Sequence, residues 1–191
     1  MSEEARIEAI ATRFADIIAL LGEDPSREGL VKTPLRAAKS LWHLTSGYRS
    51  CAAETLQSAI FEHDGSKVVI VKDIEFYSLC EHHMLPFFGR VSIAYIPNGK
   101  IVGLSKHARV VDICARKLQV QERLTAEIVR EVSESLNSLG ALAVVEAQHM
   151  CMKMRGVEKQ DASTVTLDYT GQFDSDPALR AEILAQINTK R

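Results

Sequence analysis

The sequence contains no hydrophobic run long enough to cross a membrane and no secretory signal. A transmembrane helix needs about 20 consecutive apolar residues, and no window of this 191-residue chain approaches that length. The first ten residues, MSEEARIEAI, are acidic and amphipathic, whereas a secretory signal is basic and then apolar. We therefore expect a cytoplasmic protein without a membrane partner.

Cysteine and net charge are also low. Four cysteines in a chain of this length do not make a disulfide framework, so thiols that bind a metal or act in catalysis within a reducing compartment are the better explanation. The net charge of -2 gives no general attraction for nucleic acid, and a polyanionic ligand must be held by a local cluster of positive charge. With 46% hydrophobic and 25% charged residues, the composition is that of an ordinary folded domain.

Apolar spacing and turn residues predict two N-terminal helices. Apolar side chains recur at steps of three and four residues between Ile7 and Leu21. A turn-rich connector, GEDPSREG, precedes Thr33-Pro34, which we interpret as a capping residue followed by proline at the first helical position. These helices form a predicted N-terminal helical arm over residues 1–66.

Residues 67–191 are predicted to form one domain with the element order β-β-α-α-β-β and a short last helix. Four segments rich in β-branched and aromatic residues are predicted strands: VVIVKDIEFYS, FGRVSIAYIP, ALAVVEAQHMCMKM and STVTLDYT. Helices are predicted from Ser105 to about Leu118 and from about Gln121 to Leu139, with Gly140 closing the second, and the last helix begins near Pro177.

The predicted fold class is therefore α+β, an antiparallel ββααββ sheet with two helices on one face. Such a sheet buries only one side, yet the apolar run from Val68 to Val71 indicates that neither face is well solvated. An oligomer that continues the sheet is the economical interpretation.

The most informative motif is Cys80-Glu81-His82-His83, which is matched far downstream by His149-Met150-Cys151. Cys80 and His83 stand three apart, so both side chains can point at one cation from a single turn, and Cys151 can supply a third ligand. A structural zinc site normally has four protein ligands, whereas three ligands and a water are the catalytic arrangement. His82 and His149 remain beside the site as candidate proton carriers.

The strand prediction bears on the same site. Residues two apart share a face of a strand, so four side chains are expected along one side of the third predicted strand: His149, Cys151, Lys153 and Arg155. A histidine, a thiol and two cations suit an active site better than a core. The alternative is an ordinary core with buried thiols and hydrogen-bonded histidines. Cys51 and Cys114 have no such neighbours, and we interpret them as buried or incidental.

Positive charge is also concentrated near the predicted start of a core helix. Ser105 is a good N-cap, and the amide N–H groups at such a helix end favour an anion. Lys106 and Arg109, three apart, occupy neighbouring positions on the helix surface. Alone these are ordinary solvated first-turn residues, but with Arg155 and Arg36 they could form a phosphate clamp.

Glu122, within the segment QVQERLT, has two interpretations. It is an ordinary first-turn acid that stabilises the helix dipole, or it recognises a purine. A carboxylate accepts hydrogen bonds from both the ring N1–H and the exocyclic amine of guanine, and it repels adenine, whose N1 is an acceptor.

Several long motifs together resemble the GTP cyclohydrolase I family. In chain order they are GEDPSREGL, TPLRAA, the CEHH turn, YIPNGKIVGLSKHARVVD, QVQERLT, VVEAQHMCMKMRGV and the closing TGQF. They cover nearly the whole chain from about Gly22 onward. His107 stands where a small or aliphatic residue is more usual, and no departure falls on a position that the family uses for metal or catalysis.

The resemblance implies a role for each matching residue. The implied ligands of Zn²⁺ are Cys80, His83 and Cys151. The implied proton carriers are His82 and His149. The implied guanine contacts are Gln121 and Glu122. The implied triphosphate contacts are Ser105, Lys106, Arg109 and Arg155, together with Arg36 from a neighbouring subunit.

The resemblance also implies an assembly and a reaction. The family has the tunnelling fold and forms a toroidal homodecamer with active sites at subunit interfaces. It converts GTP and water to 7,8-dihydroneopterin triphosphate and formate, the entry to folate or pterin synthesis.

Two alternatives remain. A tunnelling-fold nitrile reductase of the deazapurine pathway uses a nucleophilic cysteine and reduced nicotinamide without a metal, and the paired CEHH and HMC motifs argue against it. A non-catalytic zinc-stabilised scaffold predicts a fourth protein ligand and leaves QVQERLT unexplained.

Overall fold

The computed structural model describes residues 1–65 and 67–189. Its helices are α1 (Glu3–Leu20), α2 (Thr33–Leu44), α3 (Ala52–Gln57), α4 (Leu104–Ala115), α5 (Gln121–Leu136), α6 (Met150–Lys153), α7 (Gln172–Ser175) and α8 (Pro177–Asn188). Its strands are β1 (Ile60–Glu62), β2 (Val69–Cys80), β3 (Pro86–Ile96), β4 (Lys100–Val102), β5 (Leu118–Gln119), β6 (Gly140–His149) and β7 (Thr164–Gly171). None of the helices in these described ranges combines the length and apolar character needed to cross a membrane.

The chain divides into two compact units, one spanning Met1–Ser46 and the other beginning at Gly47. The first unit contains α1 and α2, which pack against each other. The predicted division of the chain into residues 1–66 and 67–191 stays a proposal about domain organisation, distinct from these packing units.

Both predicted N-terminal helices are confirmed, with one difference at a cap. Ser2 caps α1, its hydroxyl oxygen accepting from the Ala5 N–H at 3.2 Å. The N-cap of α2 is Lys32, so Thr33 is a helical residue. The helix starts earlier than predicted because the preceding turn already closes with a bond from the Thr33 N–H to the Leu30 carbonyl at 2.8 Å.

The second unit is built on a five-stranded sheet of order β5-β2-β3-β6-β7. The four longer strands pair antiparallel, and β5 pairs in parallel with the end of β2 at Leu79 and Cys80. Because α4 and α5 lie between the β2–β3 and β6–β7 pairs in the chain, the predicted α+β class and ββααββ order are confirmed. The separate β1–β4 ribbon was not predicted.

Two cores cover opposite faces of the sheet. Alternation along β3 sends Phe87 and Tyr95 into the core that includes α4 and α5. It sends Ala94 and Ile96 into a second core with Ile183 of α8. The C-terminal helix therefore covers part of the face that the sequence had left without a covering element.

Two helix boundaries differ from the prediction. The N-cap of α4 is Gly103, so Ser105 lies in the first turn and does not cap the helix. The C-cap of α5 is Asn137, in the left-handed region at φ 47° and ψ 43°, which asparagine tolerates better than most residues. Gly140 consequently begins β6 and does not close α5.

The third predicted strand is shorter than expected, and its extension past His149 is wrong. Phe87 pairs with His149, and Pro86, the first residue of β3, has no N–H to donate to a longer ladder. The chain then forms the helical turn α6, which contains Cys151. The expectation that one extended strand lines up the histidine, the thiol and the two cations is therefore corrected.

Candidate metal and catalytic site

The end of β2 and the turn after β6 bring the three predicted metal ligands together. Cys80 is the last residue of β2, His83 lies in the turn that follows, and Cys151 lies in α6. One ligand atom from each side chain lies within 4.8 Å of the other two. Phe87, near the start of β3, pairs with Ser78 on one side and with His149 on the other. The end of β2 and the end of β6 therefore lie on either side of the same end of β3, and this brings the three ligands together.

Backbone hydrogen bonds shape the turn after Cys80. The Cys80 N–H donates to the Leu85 carbonyl at 2.8 Å, and the Met84 N–H donates to the Cys80 carbonyl at 2.7 Å. Met84 has a φ of 54°, a left-handed conformation uncommon for so large a side chain. Backbone strain of this kind persists where surrounding structure fixes it, and it clusters at functional sites.

The two histidines of the turn differ in their surroundings. Nδ1 of His82 lies 3.9 Å from Cys80 Sγ and Nδ1 of His83 lies 4.0 Å from it, so this distance does not separate them. The cluster that includes Cys151 contains His83. The His82 side chain is 64% exposed, with Nε2 3.9 Å from the Glu81 carboxylate. His82 therefore lies at the accessible edge of the cluster.

The donor set suits zinc. Burial, and then the neighbouring Cys80 thiol, raises the pKa of the Cys151 thiol, while Arg155 acts in the opposite direction. Two thiolates this close repel each other, and a divalent cation between them removes the repulsion. Zinc takes thiolate and imidazole ligands, and with three protein ligands it keeps one tetrahedral position for a water.

His149 ends β6 beside this cluster. Its ring stacks on Phe87 with centroids 4.7 Å apart and planes at 3°. Its Nε2 lies 2.8 Å from Oε1 of Gln121. Burial lowers the pKa of His149, and the Glu122 charge opposes that shift. The ring is therefore neutral at neutral pH and fixed in orientation.

The first turn of α5 carries two predicted guanine contacts in different environments. Gln121 is 1% exposed, and its amide nitrogen donates to the carbonyls of Val145 and Thr164, each at 3.0 Å. Glu122 is exposed and lies close enough to His149 to act on its pKa. The Glu122 carboxylate thus lies exposed near His149. The Gln121 side chain is buried and its amide nitrogen is hydrogen-bonded to the protein backbone.

A network that the sequence did not predict joins the Cys80 turn to α5. The Arg123 guanidinium bonds to the Glu81 carboxylate, to the Leu118 carbonyl at 3.0 Å and to Oε1 of Gln119 at 2.8 Å. Gln119 is fully buried, and its amide nitrogen donates to the Cys114 carbonyl at 3.0 Å. Only the folded chain reveals this network, because Glu81 and Arg123 are 42 positions apart.

The predicted phosphate contacts are distributed over three places. Ser105, Lys106 and Arg109 lie in the first turns of α4, where Nζ of Lys106 donates to Oγ of Ser58 at 2.7 Å. Arg155 lies beside Cys151, where its charge acts on the thiol. Within residues 1–65 and 67–189, no hydrogen bond or ion pair joins the α4 group to Arg155. The remaining predicted contact lies in α2 of the first unit, at Arg36.

The length of β3 gives the separation between the metal cluster and the α4 group, which consists of Ser105, Lys106 and Arg109. Phe87 stacks on His149, and Tyr95 stacks on His107, the residue after Lys106, with centroids 5.4 Å apart. Tyr95 follows Phe87 by eight residue steps of extended strand, which is roughly 26 Å at about 3.3 Å per residue. The start of α4 therefore lies at the opposite end of the sheet from the metal cluster.

Comparison with known proteins assigns the family. The family model for GTP cyclohydrolase I matches residues 10–188. The GTP cyclohydrolase 1 of Porphyromonas gingivalis is 52% identical over 191 residues, covering 100% of this chain and 98% of that protein. The GTP cyclohydrolase 1 of Bacteroides fragilis is 58% identical over 168 residues, covering 88% and 87%.

Among solved structures, the archaeosine synthase QueF-Like in the apo form matches 56% of this chain and 97% of its own, at 15% identity and a TM-score of 0.43. The sequence matches alone carry the assignment. The chain belongs to the GTP cyclohydrolase I family.

Proposed function

We propose that this chain, a GTP cyclohydrolase by family membership, converts GTP and water to 7,8-dihydroneopterin triphosphate and formate with Zn²⁺ held by Cys80, His83 and Cys151. The observation that carries the proposal is the Cys-His-Cys cluster with its ligand atoms within 4.8 Å of one another. Neither the nitrile reductase nor the scaffold alternative fits a chain of this family. The product is the entry to folate or pterin synthesis.

The site residues have two proposed roles, which are to hold the metal ion and to transfer protons. Zinc, when bound, would supply Lewis acidity that lowers the pKa of a water, so that the water can lose a proton and attack C8 of the guanine imidazole ring. Cys80 and Cys151 as thiolates offset the charge of the ion, so acidification is weaker than with neutral ligands and local bases become necessary.

The two histidines outside the metal cluster are the proposed bases. His149 is neutral and stacked on Phe87, so it can take a proton without first losing one. His82 is mostly exposed beside Cys80 and can exchange protons with solvent. Proton transfer to the ring nitrogen released on opening, and from the attacking water, is typically worth about 10²- to 10⁴-fold.

Glu122 is proposed to recognise guanine. Its carboxylate is exposed at the N-terminus of α5 and acts electrostatically on His149, so a base bound there lies beside the proposed proton carrier. Two carboxylate oxygens match the N1–H and the 2-amino group of guanine. The family resemblance also assigns guanine contact to Gln121, and that assignment stays a prediction.

The separation along β3 supports an active site shared between copies of the chain. A triphosphate bound by Ser105, Lys106 and Arg109 of one copy lies too far from that copy's own metal cluster for one GTP to reach both. We place the α4 residues of one copy next to the cluster and Arg155 of another, with Arg36 contributed by a neighbouring subunit.

The sheet edges support the same assembly. β7 is an edge strand with exposed Val165 and Leu167, at 61% and 42% exposure. Among the described residues, β2 from Val69 to Ser78 pairs only with β3. Open edges of this kind invite pairing with another chain, and joining unlike edges repeatedly closes a ring. The proposed assembly is the toroidal homodecamer.

Incubation of the purified protein with GTP tests the proposal. Formate and 7,8-dihydroneopterin triphosphate, detected as a fluorescent pterin after oxidation, are expected in equal amounts. Recovery of intact GTP, or formation of a ring-opened product without formate, would contradict it.

A further inference from the structure

The carboxamide of Gln121 has only one orientation that satisfies its surroundings. Its nitrogen lies 3.0 Å from the Val145 carbonyl, 3.0 Å from the Thr164 carbonyl and 3.1 Å from Oγ1 of Thr166. Carbonyl oxygens only accept hydrogen bonds, so the end of the amide that faces them must be the NH₂ group. Oε1 therefore points the other way, and it can only accept.

The partner of that oxygen is Nε2 of His149, at 2.8 Å. An oxygen that only accepts requires an N–H on this ring nitrogen. In the neutral ring the lone pair is then on Nδ1. Because the ring also stacks on Phe87 at an angle of 3°, Gln121 and Phe87 together fix both its tautomer and its plane.

Two threonines, Thr125 and Thr166, extend this hydrogen-bond network, and the direction of their hydrogen bonds agrees with the orientation of the Gln121 amide. Thr125 Oγ1 donates to the backbone carbonyl of Gln121 at 2.8 Å. Its oxygen lies 2.6 Å from Oγ1 of Thr166, which must then be the donor of that pair. Thr166 Oγ1 keeps a lone pair toward the Gln121 nitrogen, whose two N–H groups are shared among three acceptors. Since Gln121 and Thr125 are each 1% exposed, water does not compete for these bonds.

We propose that Gln121 is a positioning residue that holds His149 with its proton on Nε2, so that Nδ1 is the atom that takes up a proton during GTP hydrolysis. This proposal rests on the proposed function of His149 as a proton carrier. Uptake at Nδ1 forms the imidazolium, and the Nε2–H bond to Gln121 persists and strengthens with the positive charge. Release of the same proton from Nδ1 to the departing ring nitrogen restores the starting tautomer.

Nitrogen NMR of the wild-type holoenzyme tests the tautomer without any disruptive substitution. The zinc-loaded protein is labelled with ¹⁵N in its histidine rings, and the His149 signals are identified by their loss in His149→Ala. We expect a protonated Nε2 and an unprotonated Nδ1 for the neutral ring. A neutral ring protonated on Nδ1 overturns the proposal.

Kinetics of Gln121→Met test the consequence. Methionine has a similar length and no amide, so kcat for formate release should fall tenfold or more, toward the roughly 10⁴-fold that a wrong tautomer can cost. The zinc content should stay near wild type, and the fall should appear in kcat at saturating GTP whether or not loss of the predicted guanine contact also raises KM. Gln119→Met is the matched control, because it removes a buried carboxamide that bonds to Arg123 and leaves His149 alone; it should retain the wild-type tautomer.

The double variant separates this proposal from the proposed function. If Gln121 acts through His149, Gln121→Met has no further effect on kcat in a His149→Ala background. An equal fall of kcat in both backgrounds, or a raised KM with unchanged kcat, overturns the positioning role. Normal formate release by His149→Ala would overturn the proposed function of His149 as a proton carrier. An Nδ1-protonated ring in the wild-type protein would overturn only the positioning proposal, so the two failures can be told apart.

Discussion

The proposed contact between Glu122 and guanine depends on a carboxylate oxygen that accepts hydrogen bonds. In Glu122→Gln the shape is kept, but the amide nitrogen is a donor that meets the N1–H or the 2-amino group, which are donors as well. An unsatisfied contact of this kind costs about 1–3 kcal/mol, so kcat/KM for GTP should fall by roughly 10- to 100-fold with zinc content unchanged. Glu134→Gln, an exposed acid on the same helix, is the control. Unaltered kinetics in Glu122→Gln would return this residue to a helix-dipole role.

His107 is a buried histidine in α4. It is 0% exposed, neither ring nitrogen has a partner among the described residues, and the ring stacks on Tyr95. Burial lowers the pKa of His107 from its ordinary 6.5. The folded protein therefore prefers the neutral ring.

The pH dependence of stability follows from that preference. Above about pH 6.5 the ring is neutral in both states, so His107 causes no loss of stability. As the pH falls below 6.5 the unfolded chain binds the proton first, and the free energy of unfolding decreases until the lower folded pKa is passed. In His107→Leu this part of the decrease should be absent. Urea unfolding of both proteins at about pH 8 and about pH 5.5 measures it; equal losses in the two would contradict the account.

Single residues also show what the sequence could and could not predict. Spacing within the CEHH turn was enough to predict that Cys80 and His83 lie together, because the geometry is local. The burial of Gln121 and the bond from Arg123 to Glu81 depend on chain segments far apart in sequence. The sequence marked His107 only as unusual, since its burial depends on how α4 packs on β3.

Among the elements, the pairing of β3 with β6 determines where His149, the proposed proton carrier, lies. Gly89 pairs with Ala147, two residues before His149. A Cβ at Gly89 would lie 1.9 Å from the Glu146 carbonyl oxygen and 2.7 Å from the Ala147 Cα, so the strands would have to separate.

Gly89→Ala should therefore lower stability and formate release together. Overpacking of this kind costs typically about 1–3 kcal/mol. Gly29→Ala is the control, because its Cβ would meet the end of the flexible Arg27 side chain at 2.9 Å. Urea midpoints and formate release are the measurements, and a wild-type midpoint in Gly89→Ala would show that the strands tolerate the added methyl group.

Elements with a strong periodic pattern were predicted well, and their ends were not. The apolar face of α5 and the β-branched and aromatic residues of β3 identified both elements correctly. The turn α6 was predicted as strand because the local sequence fits an extended chain, and only the end of β3 at Pro86 limits the ladder. Cys151 nevertheless reaches Cys80, from a helical turn in place of a strand face.

The assembly proposed for the chain makes a prediction about mixtures of variants. His149→Ala lacks the proposed proton carrier, and the double variant Lys106→Ala/Arg109→Ala lacks two proposed triphosphate contacts. If these residues meet only between copies, dissociating and reassembling an equal mixture should create some sites with both sets intact and restore part of the activity. The unassembled mixture is the control. Activity that stays at the mean of the two variants would place the complete site within one chain.

Zinc content and formate release measured on the same samples of wild type and Cys151→Ser test the account most directly. Removing one of three ligands should abolish turnover and reduce bound zinc while the fold persists. Cys51→Ser, which changes an exposed cysteine, should keep both. Full zinc and full formate release in Cys151→Ser would contradict the assignment of Cys80, His83 and Cys151 as the catalytic metal site.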